Sequence, residues 1–207
     1  MRKAAFVALM ILVCVLVLGQ KATKGEVKIK ELSPCAVVAE KGDVSLVADF
    51  EAARLRADQK YIPIRVYLGL QGKGKIFAER AFFTLTDPKG EKHPMATVEE
   101  VTKNYGPNYI SNDYEYYRLQ CTFNYASHFN ACQRAKKVAF FPNPSGPRVL
   151  YDQVELAPYM YFSAIMYFAN PGGPMDGNYT LAWSDPKTNT GLEVPFTIKW
   201  EKEKPKK

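Results

Sequence analysis

The chain has 207 residues, 47% of them hydrophobic, 13% aromatic and 24% charged, a balance that excludes a chain too polar to build a core and suits one domain or two small ones. Part of the formal charge of +7 sits near the ends, in Lys21, Lys24, Lys28 and Lys30 and in Lys202, Lys204, Lys206 and Lys207. These read as solvated tails that keep the protein soluble, and no nucleic-acid motif accompanies them, so nucleic acid is not an expected partner.

Residues 1–19 read as a secretory signal peptide. Arg2 and Lys3 give a positive start, an apolar run rich in Val, Leu and Ile extends to Leu18, and Gly19 stands before Gln20 at a tolerable cleavage point. The run is marginal for crossing a bilayer, which takes about 20 apolar residues, so no stable membrane span is expected after cleavage. Cys14 follows Val13 rather than a small residue, and the apolar run continues past it, which argues against a lipid-modified cysteine.

Alternation of period two then dominates. Val44, Leu46, Ala48 and Phe50 share one face. In 61–70, Ile62, Ile64, Val66, Leu68 and Leu70 alternate with Pro63, Arg65, Tyr67 and Gly69, the pattern of a strand with one buried face. The Gly-Lys run at 71–75 breaks it, and a strand through Ala81, Phe83 and Leu85 ends at Asp87-Pro88-Lys89-Gly90. Asp first, Pro second and Gly fourth predict a type I turn.

Thr97 and Glu100 form a capping box, which predicts a short helix over 96–104. Residues 118–125 predict a strand with Leu119, Cys121, Phe123 and Tyr125 on one face, and 127–136 a second short helix. The Pro-rich stretches 142–147 and 171–174 predict loops. Residues 159–168 are apolar or aromatic on both faces, and Tyr179, Leu181 and Trp183 alternate again. The last strand is the most regular, with Leu192, Val194, Phe196, Ile198 and Trp200 inward. Pro195 cannot donate to a ladder, which predicts an edge strand or a bulge there. Residues 184–191 are the loop of that hairpin.

Seven or more short strands with hairpin turns and few helices predict an all-β, antiparallel β-sandwich, with an up-and-down barrel as the alternative. The layout resembles the secreted immunoglobulin-like modules of bacterial envelopes. The resemblance rests on the long strand 61–70, the aromatic strand closing on Thr86-Asp87-Pro88-Lys89-Gly90, and the Asn-Tyr-Thr-Leu strand at 178–183. It implies a binding or structural role and fixes no functional residue. The expected organisation is a signal peptide (1–19), a single β-sandwich domain (20–200) with an insertion near 92–117, and a basic tail (201–207).

After cleavage the chain keeps Cys35, Cys121 and Cys132. An exported chain favours a disulfide, and Cys121 with Cys132, eleven apart, is the best pair, leaving Cys35 odd. His128 lies four before Cys132, so Cys121, His128 and Cys132 offer an alternative metal set for which only His93 remains as a further histidine. The Gly-Lys run at 72–75 lacks the strand-loop-helix setting of a phosphate cradle, and no serine elbow or zinc-protease motif is present. The expectation is therefore a non-enzymatic module without a cofactor, with a hydrolase of unrecognised site as an alternative.

The candidate contact residues are Tyr105, Tyr109, Tyr114, Tyr116 and Tyr117, interleaved with Asn104, Asn108, Asn112 and Asp113. Tyr supplies contact area at low entropic cost and Asn supplies hydrogen bonds. The same rings would equally serve to pack the insertion onto the sandwich. The expected partner is a protein or glycan at the cell envelope, met by a periplasmic or extracellular protein.

Overall fold

The computed structural model describes residues 25–56, 59–119, 125–135, 140–142, 150–173 and 176–200, the side chains of Pro107, Tyr109 and Leu119 excepted. The signal peptide and the basic tail lie outside these residues.

The molecule is mostly β. β1 (Lys28–Ser33), β2 (Ala36–Lys41), β3 (Val44–Asp49), β4 (Tyr61–Leu70), β10 (Met160–Ala169) and β8 (Gln133–Arg134) form one sheet in the order β1-β2-β3-β4-β10-β8. Its pairs are antiparallel except for the short parallel contact of β8 with β10. A second, antiparallel sheet runs β12 (Thr190–Ile198), β11 (Gly177–Asp185), β6 (Phe83–Thr86) and β7 (Lys92–Pro94). The small antiparallel pair β5 (Ile76–Glu79) and β9 (Gln153–Leu156) forms a third sheet.

The alternation in the sequence explains how the two sheets meet. Ile62, Ile64, Val66, Leu68 and Leu70 of β4 are buried in one core with Leu46 of β3, Phe162 and Phe168 of β10, and Leu181, Trp183, Val194, Phe196 and Ile198 of the second sheet. Phe50 stacks on Phe196 with ring centroids 4.7 Å apart. Burying an aliphatic or aromatic side chain of this size is worth about 1.5–3 kcal/mol each, so this interface dominates the stability. β12 forms the edge of its sheet, where the missing N–H of Pro195 is tolerated.

A turn forms at Asp87, with the Gly90 N–H donating to the Asp87 carbonyl at 2.9 Å and Gly90 at φ +85°. The capping box also forms: the Thr97 side chain accepts from the Glu100 N–H, and the Glu100 carboxylate accepts from the Thr97 N–H at 2.8 Å. These bonds hold the Glu100 carboxyl below its usual range. The helix that follows, together with its short neighbours, completes the fold: α1 (Glu51–Arg54), α2 (Val98–Asn104) and α3 (Pro107–Leu119). Gly106 at φ +91° ends α2 and Pro107 begins α3, the residues that a helix exit and entry favour.

Several element expectations fail: Ala81 lies in a 3-10 turn (Arg80–Phe82) rather than in a strand, and the β11–β12 loop is shorter than 184–191, since Ser184 pairs with Gly191 and Asp185 with Thr190. The predicted strand at 118–125 begins as the end of α3 and finishes in a 3-10 turn (Tyr125–Phe129); residues 120–124 lie outside the described residues. The predicted helix at 127–136 is instead the remainder of that turn followed by β8. There the Gln133 and Ala135 N–H groups donate to the Tyr159 and Tyr161 carbonyls, because the edge of β10 offers unpaired backbone acceptors. Within the stretch 92–117, Lys92–Pro94 pairs with β6 as a sheet strand.

β4 is buried on its second face as well, which its alternation does not reveal. Tyr67 is fully buried there, with the 3-10 turn laid across it: Phe129 stacks on Tyr161 at 5.0 Å and on Tyr67 at 6.5 Å. Gly69 makes this possible. A Cβ at that position would lie 2.5 Å from the Phe129 ring and 2.9 Å from Tyr161 Cβ. Gly69→Ala is expected to lower stability by about 1–3 kcal/mol, read as the urea midpoint; an unchanged midpoint would show that the turn does not pack on β4.

Candidate functional site

The tyrosines singled out in the sequence lie in and before α3, and their ring positions follow its period. Tyr105 is buried at the end of α2, and its O–H donates to Asp113 Oδ2 at 2.8 Å. Tyr117 is buried, and its O–H donates to the Asp49 carbonyl at 3.0 Å. Tyr116 is half-buried and donates to Glu51 Oε1 at 3.2 Å. Tyr114 is half-buried, and the Tyr109 side chain is outside the described residues. The outward positions are Asn108, Asn112 and Arg118. The segment is thus an amphipathic helix rather than a loop. Tyr105 and Tyr117 anchor it to the sheet and present no contact surface.

Beneath α3 lies a buried polar cluster. Asp113 is fully buried, its Oδ1 2.8 Å from Arg56 Nε and its Oδ2 bound by Tyr105. Burial pushes the Asp113 carboxyl up, against the Arg56 guanidinium and the tyrosine hydroxyls, which pull it down. The Arg56 guanidinium is raised despite its own burial, because Asp113 favours its charge. Burial, with the adjacent Asp113 charge, also raises the phenols of Tyr105 and Tyr167.

A second buried acid, Asp49, sits at the end of β3. Its Oδ1 accepts the Glu51 N–H at 3.1 Å, whereas Oδ2 is buried without a hydrogen-bond partner. Burial pushes its carboxyl up to about 7, more than the Glu51 N–H and Arg65 hold it down. Arg65, paired with Asp49 in register, lies over the Tyr67 and Tyr117 rings at 5.1 and 5.6 Å and donates to the Tyr117 carbonyl at 3.2 Å. That carbonyl belongs to the last turn of α3, where a cation is favoured by the helix dipole.

The cysteine expectations rest partly on Cys121, which lies outside the described residues. Cys35 and Cys132 are both free thiols. Cys35 is buried with its Sγ accepting from Arg54 Nη1 at 2.8 Å, and its thiol is raised because burial outweighs that guanidinium. Cys132 Sγ lies 3.7 Å from the Leu70 carbonyl, and burial raises its thiol. His128 and Cys132 do not share a helical face, because the predicted helix is a 3-10 turn; His128 Nε2 lies 3.1 Å from Glu40 Oε1.

His93, in the sequence only a spare histidine, is buried in β7 with Nε2 3.2 Å from Asp87 Oδ2. Asp87 Oδ1 accepts the N–H groups of Lys89 and Glu91, each at 2.9 Å. Burial would raise the Asp87 carboxyl, but His93 and the two N–H groups outweigh it and leave it lowered. The spacing Asp-x3-Glu-x-His across a turn is the signal that would have found this group.

The outer face of the second sheet carries an open groove of about 500 Å³, lined by Thr180, Ala182, Gly191, Glu193, Pro195 and Val27. Register sets the lining: Thr180 lies opposite Pro195, Ala182 opposite Glu193 and Ser184 opposite Gly191 across β11 and β12. Val27 is 42% exposed. Comparison with protein-family models, curated proteins and solved structures gave no match, so fold and site rest on this chain's own residues. Among the described residues, no helix is long and apolar enough to cross a membrane.

Proposed function

We propose that the protein is an exported, non-enzymatic binding module of the cell envelope, built as an immunoglobulin-like sandwich, which takes a protein or glycan ligand in the groove over β11 and β12. The groove carries this reading: it is open, mainly apolar and bounded by an edge strand, whereas the tyrosines of 105–117 that point inward serve the fold. The charged groups of the interior support a scaffold role, since Asp113, Asp185 and Arg80 each bond to parts of the chain far away in sequence. Asp185 takes the Phe77 N–H, and Arg80 donates to the Ala96 and Phe140 carbonyls. The export part of the reading rests on residues 1–19.

Secreted protein is expected to begin at Gln20 by N-terminal sequencing and to retain envelope glycans or proteins on a column. Ala182→Arg and Thr180→Lys, which fill the groove from half-exposed positions, are expected to reduce that capture at least tenfold. Capture unaltered by both variants would remove the groove as the site, and a retained Met1 in the exported protein would remove signal cleavage.

A further inference from the structure

We propose that the β6–β7 hairpin is a divalent-metal site, with Asp87, Glu91 and His93 as ligands and a borderline ion of the Zn²⁺ class as its occupant. The three side chains each offer one donor atom, and these atoms all lie within 4.8 Å of one another. His93 Nε2 and Asp87 Oδ2 are 3.2 Å apart. Two ligands of a tetrahedral zinc, with bonds of about 2.0–2.2 Å, stand at about that separation. Glu91 is exposed, so its carboxylate closes the remaining gap by a change of side-chain rotamer.

The hairpin is organised beyond what a turn requires. A turn-forming aspartate needs only one oxygen, and here Oδ1 takes both backbone N–H groups, which fixes the plane of the carboxylate and aims Oδ2 at the imidazole. The turn is closed twice, by Asp87 N–H to the Glu91 carbonyl at 3.0 Å and by Gly90 N–H to the Asp87 carbonyl at 2.9 Å. Its tip is wedged against β11, where a Cβ on Gly177 would come within 2.8 Å of Pro88. His93 is held by its register opposite Leu85 in the sheet. Bonds that orient a ligand's second atom in this way are what metal sites use to position the first.

One imidazole and two carboxylates suit Zn²⁺, with Cu²⁺ stronger by the general affinity order. The ion takes the place between Nε2 and Oδ2, any proton held there passes to solvent, and a fourth position stays open to water. The site shares no residue with the Cys121, His128 and Cys132 set and none with the lining of the groove.

The test is calorimetric titration of untagged full-length protein with Zn²⁺, with the metal content per chain measured after dialysis. One ion per chain is expected, with affinity at least tenfold lower in His93→Gln and in Glu91→Gln and unchanged in His128→Gln. Glu91 is exposed, so its variant retains the fold, and circular dichroism checks this. Lack of stoichiometric zinc in the wild type would overturn the site, as would wild-type affinity in both hairpin variants. Loss in His128→Gln alone would also overturn it, by placing the ion with the cysteines.

Discussion

Arg56→Ala is expected to lower the unfolding free energy by about 3 kcal/mol, measured by urea denaturation at pH 7. Removing one member of a buried ion pair leaves the other charge without compensation, which typically costs about 3–5 kcal/mol. The lower end applies because the Arg56 side chain is 22% exposed while Asp113 is fully buried. The loss falls on α3, because Asp113 is its only fully buried acid and also holds Tyr105. Asp113→Asn removes the charge but keeps an acceptor for the Tyr105 hydroxyl, so its cost is expected to be smaller, about 1–2 kcal/mol. The double variant should then show clear non-additivity. A cost below about 0.5 kcal/mol for Arg56→Ala would mean that α3 is not pinned at this pair.

The second large effect is a dependence on pH. The Asp49 carboxyl, pushed up to about 7 from 3.8, keeps its proton in the folded chain at pH values where the unfolded chain has lost it. A folded state that binds the extra proton loses stability as pH rises, so Asp49 contributes a penalty that is absent below about pH 4, grows to about pH 7 and is constant above. Integrated over that window, it amounts to about 4 kcal/mol at most. Asp49→Asn keeps the acceptor for the Glu51 N–H and cannot ionise. The variant is therefore expected to be more stable than the wild type at pH 8 by about 2 kcal/mol, and no more stable at pH 4, where its amide N–H₂ meets the same unpartnered pocket. Asp113 titrates in the same direction but is common to both proteins, so it cancels in the difference. Stability curves that run parallel from pH 4 to pH 8 would show that Asp49 is not the source.

These two acids also mark where reading the sequence stops. Asp49 ends an alternating strand, and Asp113 stands among asparagines and tyrosines in a stretch with the composition of a contact surface. Nothing local distinguishes a buried aspartate from a solvated one; Asp113 is buried because Arg56 and the sheet, distant in the chain, converge on it together with the nearby Tyr105. The tyrosines carry the same ambiguity. A ring with a polar tip satisfies an interface and a helix-to-sheet contact equally well, and the helical period decides between them only once it is known which face meets β4.

What the sequence determined by itself is what depends on near neighbours. The strand at 61–70, the Asp87 turn and the Thr97–Glu100 cap follow from alternation, the fixed φ of proline and the reciprocal bonds of a capping box, all acting within a few residues; Pro195 left an edge or a bulge, and the sheet order made it an edge. Tertiary structure decided the rest. It covered the second face of β4, for which Gly69 and Phe129 had to meet. It turned 107–119 into a helix through bonds to Asp49 and Arg56. It replaced the expected helix at 127–136 with a 3-10 turn and a strand, because the edge of β10 offered free carbonyls. Each of these outcomes was set by a partner on another element, and a chain read residue by residue does not say which partner will arrive.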